Sequence, residues 1–275
     1  MTTPTTTVPK GLAAKEAALR SLLREYGPMA IAYSGGVDSA YLCEVAHEEL
    51  GERMRPVLAD SPSMPRSELQ DACALAERKG WGLTVLQTSE FENEDFLKND
   101  GTRCFYCKDE LFRVMDTFAK EQGVAVLAYG EIADDALDPT RYGARAARDH
   151  KVVAPLAEAG LFKVDIRTLS KLRGLPTWDK ASFACLSSRF PTGTRVEPSE
   201  MSKVERAEEA LKRFGFHQYR ARHHGDLVRV EVEEADLARF ADAELRQSVL
   251  AALRDAGYRH VTLDLAGYRT GSTAD

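Results

Sequence analysis

Between Met29 and Tyr129, short apolar runs alternate with stretches of helical periodicity, and this alternation leaves few folds open. Met29–Tyr33, Met54–Ala59, Leu83–Gln87 and Val124–Tyr129 read as strands. The intervening segments read as helices to about Leu50, over Pro65–Lys79, and from Arg103 to about Glu121. A helix over Gly11–Glu25 precedes them, with Leu12, Leu19, Leu22 and Leu23 on one stripe, and Gly27-Pro28 stops it. A short helix over Leu169–Arg173 closes the series. Parallel strands need a crossover between them, so this grammar predicts an α/β fold, a doubly wound parallel sheet with helices on both faces.

After Pro176 the pattern changes. A polar loop around Cys185 leads to a charged helix over Ser199–Phe214 and an alternating strand over Leu227–Val232. A helical stretch over Ala235–Ala256 and a strand over Val261–Leu265 complete a small C-terminal α+β domain. The expected division is a disordered tail over 1–10, an α/β domain over 11–180 and the α+β domain over 181–275, with the boundary between Pro176 and Val196. A chain of 275 residues is long enough for two such domains. It carries 37 Lys+Arg against 43 Asp+Glu, a net charge of −6, which argues against a large nucleic-acid footprint. No window approaches the ~20 apolar residues of a membrane helix, and Met1–Pro9 lacks the apolar core of a secretory signal. Five cysteines in such a chain are expected as cytoplasmic thiols, metal ligands or catalysts rather than as a disulfide framework.

The hexapeptide Ser34-Gly35-Gly36-Val37-Asp38-Ser39 sits between the first strand and its helix. Two glycines let the backbone approach a ligand and turn successive N–H groups into one concavity, and the helix start adds partial positive charge. Ser34 and Ser39 can donate hydroxyls, and Asp38 can hold Mg²⁺ beside a phosphate. No Gly-Lys-Ser/Thr follows, so this is not a Walker loop. At the end of the first strand of an open α/β sheet, the hexapeptide predicts a nucleotide site.

Cys43 and Cys73 lie on helical stripes and read as core residues. Cys104 and Cys107 form a C-x-x-C at a helix start, compatible with a redox dithiol, half a zinc site or part of an iron–sulfur cluster. The motif follows an acidic loop rather than a strand, and no second C-x-x-C completes a zinc site. With Cys185 in Ser182-Phe183-Ala184-Cys185-Leu186-Ser187-Ser188-Arg189, two thiolates plus one can hold a cubane by three corners, leaving one iron open. A catalytic pair or a persulfide is the next alternative.

Several segments then converge. The hexapeptide resembles the PP-loop of the ATP pyrophosphatases, or adenine nucleotide alpha hydrolase-like proteins, which include GMP synthetase, NAD synthetase and tRNA sulfur transferases. Beside it stand Ala59-Asp60-Ser61-Pro62, Arg103-Cys104-Phe105-Tyr106-Cys107-Lys108, Ala133-Asp134-Asp135, Leu175-Pro176-Thr177-Trp178-Asp179-Lys180, Ala184-Cys185-Leu186-Ser187-Ser188-Arg189-Phe190-Pro191 and Arg220-Ala221-Arg222-His223-His224-Gly225-Asp226. In this order they resemble the LarE family of ATP-dependent sulfur transferases. Gly130-Glu131-Ile132 departs from the family pattern, where Thr-Asn is expected after the glycine.

The resemblance implies adenylation of a carboxylate of pyridinium-3,5-biscarboxylic acid mononucleotide and its conversion to a thiocarboxylate, in the biosynthesis of the nickel-pincer nucleotide. It implies ATP and Mg²⁺ at Ser34, Gly35, Gly36, Val37, Asp38 and Ser39, with Ala59, Ser61 and Gly130 completing the nucleotide site. One type in the family sacrifices a cysteine at the position of Cys185. The other holds a 4Fe-4S cluster on three cysteines, here Cys104, Cys107 and Cys185, and the three-cysteine pattern implies that type, supplied by a sulfide or sulfur donor. Arg189, Arg220 and Arg222 are candidate ligands of the substrate phosphate, the plain alternative being that Arg220 and Arg222 are solvated strand charges. Asp134 and Asp135 can orient substrate or a metal, or can cap a helix. His223 and His224, adjacent on a strand, point to opposite faces and cannot share a site. A homo-oligomer assembled through the C-terminal domain is also implied. The rivals are a PP-loop tRNA thiolase, an amidotransferase of the GMP- or NAD-synthetase kind, which would leave the three cysteines idle, and a nucleotide sensor without chemistry.

Overall fold

The computed structural model describes residues 9–136, 142–180 and 184–269. The expected tail therefore lies outside the described residues up to position 8, while Lys10, assigned to that tail, already begins the first helix. The elements are α1 (Lys10–Tyr26), β1 (Met29–Ala32), α2 (Val37–Leu50), β2 (Met54–Asp60), α3 (Arg66–Lys79), β3 (Thr84–Gln87), α4 (Glu94–Leu97), α5 (Arg103–Glu121), β4 (Val126–Tyr129), α6 (Ala133–Ala136), α7 (Tyr142–Asp149), α8 (Pro155–Glu158), α9 (Lys163–Leu172), α10 (Pro198–Arg213), β5 (Tyr219–His224), β6 (Leu227–Val232), α11 (Ala243–Asp255) and β7 (His260–Leu263). Among the described residues, no helix is long and apolar enough to cross a membrane.

β1 to β4 form one parallel sheet in the order β3-β2-β1-β4. β1 pairs with β2 through Ala32↔Val57 and with β4 through Ala32↔Tyr129. Ala30, Val57, Leu127 and Tyr129 meet Phe112, Met115 and Ala119 of α5 and Ala146 and Ala147 of α7 in a buried cluster. α2 lies against β1 and β2, and α1 and α9 lie against α2, so helices flank the sheet. The strand order reverses at β1, which has β2 on one side and β4 on the other. The carboxyl ends of β1 and β4 meet at that switch point, the place where open α/β sheets bind ligands.

β5, β6 and β7 form a second sheet, with β5 antiparallel and β7 parallel to β6. Ala221, Val228, Val230 and Val232 pack on Ala207 and Leu211 of α10 and on Val249 and Leu253 of α11. The chain thus divides into two compact units. One comprises 9–61, 66–90, 104–136 and 142–180; the other comprises 62–65, 91–103 and 184–269. The short segments 62–65 and 91–103, counted above within 11–180, therefore cluster with the C-terminal unit.

The helices α4, α6, α7 and α8 have no counterpart in the sequence expectation, and two further elements differ from theirs. α9 begins at Lys163 and not at Leu169, because the Asp165 carboxylate accepts the N–H of Phe162 at 3.1 Å and Ile166, Leu169 and Ser170 form a buried stripe. The single helical stretch over 235–256 is a 3₁₀ segment, Glu234–Ala241, followed by α11. Asp242 breaks it by accepting the N–H of Leu245 at 2.8 Å as an N-cap.

Candidate active site

Residues 34–36 turn the chain from β1 into α2. Gly36 is the N-cap of α2 and offers no side chain to its first-turn N–H groups, an arrangement suited to an anion. The Ser39 hydroxyl accepts the N–H of Ser34 at 3.1 Å and lies 3.1 Å from the Ser34 hydroxyl, so the two serines hold the loop closed on itself. Gly130, just past β4, comes so close that a Cβ there would stand 3.0 Å from the Ser39 nitrogen and 3.2 Å from its Cα. Close approach, rather than turn geometry, is why glycine is needed at that position.

Gly35 has φ +72°, and a Cβ on it would lie 2.7 Å from the Cβ of Ala72 on α3. Gly35→Ala combines left-handed strain of about 1–2 kcal/mol with a backbone-to-helix clash. It is expected to weaken ATP binding by at least about tenfold, read by calorimetry. Gly11→Ala, where a Cβ meets nothing within 4 Å, is the control expected to bind as wild type.

Asp38 stands in the first turn of α2. One carboxylate oxygen, Oδ2, accepts from Lys163 Nζ at 2.5 Å, while the buried Oδ1 has no hydrogen-bond partner. Burial raises the Asp38 pKa, Asp135 acts in the same direction, and Lys163 and Arg167 oppose them. A buried, unsatisfied carboxylate oxygen beside a phosphate loop is suited to a hard divalent cation, so Asp38 fits Mg²⁺. Asp134 takes a different part: its Oδ2 accepts the backbone N–H of Lys163 at 2.7 Å and fixes the start of α9. Glu131, at the departure from the family pattern, accepts from the Tyr129 hydroxyl at 2.5 Å.

Ala59 and Ser61 lie at the carboxyl end of β2, where Ala59 registers with Leu86 of β3. Arg66 fastens this corner, donating to Asp60 Oδ1 at 2.5 Å and to the Ser61 carbonyl at 2.7 Å.

In the C-terminal unit, Cys185 precedes a 3₁₀ turn, Leu186–Arg189, that packs against α10 and β5. Arg189 and Arg222, at 2% and 5% exposure, are not solvated, nor are their partners Glu208 and Glu231 at 8% and 0%. Arg189 forks onto Glu208 through Nε and Nη2, both at 2.8 Å. Its Nη1 donates to the carbonyls of Ala184 (2.5 Å) and Cys185 (3.0 Å) and to the Ser188 hydroxyl (3.0 Å). Glu208 also accepts the N–H of Ala221 at 3.0 Å. Arg222 donates to Glu231 at 2.9 and 3.0 Å and to the Ser188 carbonyl at 3.0 Å. Arg103 donates to the Ser187 carbonyl at 2.7 Å, and the Ser63 carbonyl accepts the N–H of Leu186 at 2.8 Å. The cysteine thus sits on a backbone clasped from several sides.

Arg220 is placed differently. Its guanidinium lies 5.0 Å from the centre of the Tyr268 ring and donates to the Tyr219 carbonyl at 2.7 Å. Burial lowers its pKa, the like charges of Arg189 and Arg222 act in the same direction, and Glu208 and Tyr268 oppose them. His223 is buried with its Nδ1 3.1 Å from the Tyr258 hydroxyl, whereas His224 is exposed.

Cys104 is exposed and Cys107 half-buried at the start of α5, and Cys43 is fully buried in α2. Cys73 is half-buried rather than core. Among the described residues, no group of three or more His, Cys, Asp or Glu side chains forms a metal-binding set.

No family model matches the chain. A pyridinium-3,5-bisthiocarboxylic acid mononucleotide synthase of Lactiplantibacillus plantarum is 34% identical over 269 residues, which cover 96% of this chain and 95% of the synthase. The chain belongs to the LarE family. An uncharacterised protein of Synechocystis sp. is 37% identical over 92% of this chain and 94% of its own length. A glutamine-hydrolysing GMP synthase of Chlamydia muridarum is 25% identical over 58% of this chain and 34% of its own length, consistent with a shared PP-loop domain.

In this LarE chain, the phosphate loop, Asp38, Gly130 and Asp135 stand together at the switch point of the first unit. Cys185, Arg189, Arg220 and Arg222 belong to the second. Sequence inspection missed Lys163 and Arg167 in the first unit, and Glu208, Glu231 and Ser63 in the second; Lys180 and Arg103 stood inside the quoted motifs without a role. Asp165, two residues after Lys163, was the available signal for a helix start there. Nothing local marked Glu208 or Glu231, because ion-pair partners distant in sequence leave no periodicity.

Proposed function

We infer that this chain is an ATP-dependent sulfur transferase that converts a carboxylate of pyridinium-3,5-biscarboxylic acid mononucleotide to a thiocarboxylate, in nickel-pincer nucleotide biosynthesis. The observation that carries it is the end-to-end likeness to the Lactiplantibacillus plantarum synthase. The phosphate loop supports it, since a carboxylate is a poor electrophile until adenylation supplies a leaving group.

ATP occupies the concavity of Ser34–Ser39, with its adenine at the β2 end near Ala59 and Ser61 and Mg²⁺ on Asp38. The substrate carboxylate attacks the α-phosphorus, and the acyl adenylate then loses AMP to sulfur. Arg220 binds the substrate phosphate: its planar donors match a phosphate, whereas the forks of Arg189 and Arg222 are engaged by buried carboxylates. Arg189 and Arg222 are committed to Glu208 and Glu231 and shape the loop beside it. The C-terminal unit carries the sulfur-transfer loop and mediates homo-oligomerisation, and the protein works in the cytoplasm, where thiols stay reduced.

The sulfur source is a separate proposal. The pattern of Cys104, Cys107 and Cys185 favours a 4Fe-4S cluster loaded by a sulfide donor. No step is derived through it, because the described residues form no such ligand set. The second reading, a sacrificial Cys185, is favoured by the hold of Arg189 on that residue's carbonyl.

With ATP, Mg²⁺ and the biscarboxylic substrate, the protein is expected to release AMP and pyrophosphate and to form thiocarboxylate. Cys185→Ser keeps substrate-dependent pyrophosphate release and forms no thiocarboxylate; an unchanged thiocarboxylate yield would overturn the assignment. About four irons and four acid-labile sulfides per chain after anaerobic reconstitution identify the cluster route. A colourless protein that gains dehydroalanine at position 185 on turnover identifies the sacrificial one. Tight, steeply salt-dependent tRNA binding would instead point to a tRNA thiolase.

A further inference from the structure

Three basic residues absent from the sequence-derived site, Lys163, Arg167 and Lys180, converge on the phosphate loop from one stretch of chain. Arg167 and Lys180 have structural partners. Arg167 donates to the carbonyls of Trp178 and Lys180, each at 2.8 Å, and so braces the turn that carries Lys180. Lys180 Nζ is 2.5 Å from Glu68 and 3.2 Å from the Gly35 carbonyl, tying the loop to α3. Lys163 is different. Its backbone is fixed by Asp134 at the start of α9, its side chain is 38% exposed, and its Nζ rests on Asp38 Oδ2 at 2.5 Å.

We propose that Lys163 is a catalytic residue of the adenylation step: it rests on Asp38 in the free protein and binds the departing pyrophosphate once Mg²⁺–ATP has taken Asp38. This rests on the adenylation chemistry inferred above. Mg²⁺ and an ammonium group repel each other, so a metal arriving at Asp38 displaces Lys163 from its partner. The nearest anions are then the phosphates held by Ser34–Ser39. Lysine suits the transfer, being a point charge on a flexible stem, whereas the rigid fork of Arg167 is already spent on two carbonyls. In the step itself a carboxylate oxygen forms a bond to the α-phosphorus. The bond from that phosphorus to the α,β-bridging oxygen breaks, and its electron pair leaves with pyrophosphate. Positive charge placed where that negative charge develops accelerates the step.

The test uses the full chain with Lys163→Met and Lys163→Arg. For Lys163→Met, substrate-dependent exchange of labelled pyrophosphate into ATP should fall about 10²–10³-fold in kcat, with a much smaller change in KM for ATP. Calorimetry with Mg²⁺–pyrophosphate alone should show at least about tenfold weaker binding. Lys163→Arg should recover part of both and, if the methionine variant fails to fold, supplies the same readouts against wild type. If Lys163 only neutralises Asp38, saturating Mg²⁺ will replace its charge and restore the rate of Lys163→Met, and that outcome overturns the proposal. Unweakened pyrophosphate binding overturns it too. A wild-type protein that binds Mg²⁺–pyrophosphate through Lys163 but shows no exchange with the pyridinium substrate would refute the substrate assignment and leave Lys163 as a pyrophosphate ligand.

Discussion

Arg189→Leu is expected to destabilise the C-terminal unit by about 3–5 kcal/mol, because it strands the Glu208 carboxylate in the interior and frees the carbonyls of Ala184 and Cys185 together. A buried ion pair contributes little net stability when intact, since desolvation offsets most of its attraction; the large cost appears when one partner is removed. Here both partners have further duties. Glu208 also accepts from Ala221 of β5, and Arg189 also holds the carbonyl of Cys185, the residue proposed above to deliver or ligate sulfur. Chemical denaturation should therefore show the loss in ΔG, and thiocarboxylate formation should fall more steeply than substrate-dependent pyrophosphate release. Glu208→Gln leaves the arginine charge uncompensated and should lose a similar amount. The double change Arg189→Leu with Glu208→Leu should cost clearly less than the sum of the singles. Additive losses in that cycle would show that the two residues are not coupled.

Asp38→Asn should reduce adenylation by at least about 10³-fold, since Lewis-acid stabilisation by a bound divalent ion is worth several kcal/mol. Asparagine keeps the shape of the side chain and can still accept from Lys163, so the fold should persist. What it lacks is the second anionic oxygen, the buried Oδ1 that has no protein partner. Substrate-dependent pyrophosphate release and thiocarboxylate formation should vanish together. That pattern separates Asp38 from Cys185, whose replacement should remove only the thiocarboxylate. Retention of pyrophosphate release above about a tenth of wild type would show that Asp38 does not hold the catalytic metal.

Much of the first unit was legible along the chain. Most strands and helices of residues 11–129 follow from apolar spacing and from glycine and proline punctuation; β1 ends one residue earlier than expected, and α2 starts three residues earlier, inside the hexapeptide. The phosphate loop was legible because its chemistry is local: six consecutive residues supply the turn, the donors and the acid. Gly35 needed no neighbours to be noticed, although the reason for it, contact with Ala72, is tertiary. The start of α9 was missed because the apolar stripe appears sparse until Ile166 and Leu169 are seen packed.

The arginines show where reading along the chain stops. Sequence proposed Arg189, Arg220 and Arg222 alike as phosphate ligands, with Arg220 and Arg222 otherwise solvated strand charges, because a guanidinium looks the same in any context. The fold makes them unequal: Glu208 on α10 and Glu231 on β6 each take one, leaving Arg220 beside Tyr268 in the field of the other two. By itself the sequence determined the parallel α/β architecture and the family with its PP-loop, since each is written in short-range spacing or ordered motifs. Only the tertiary structure decided which partner each charge meets, because that depends on groups brought together by folding and on the removal of water from around them.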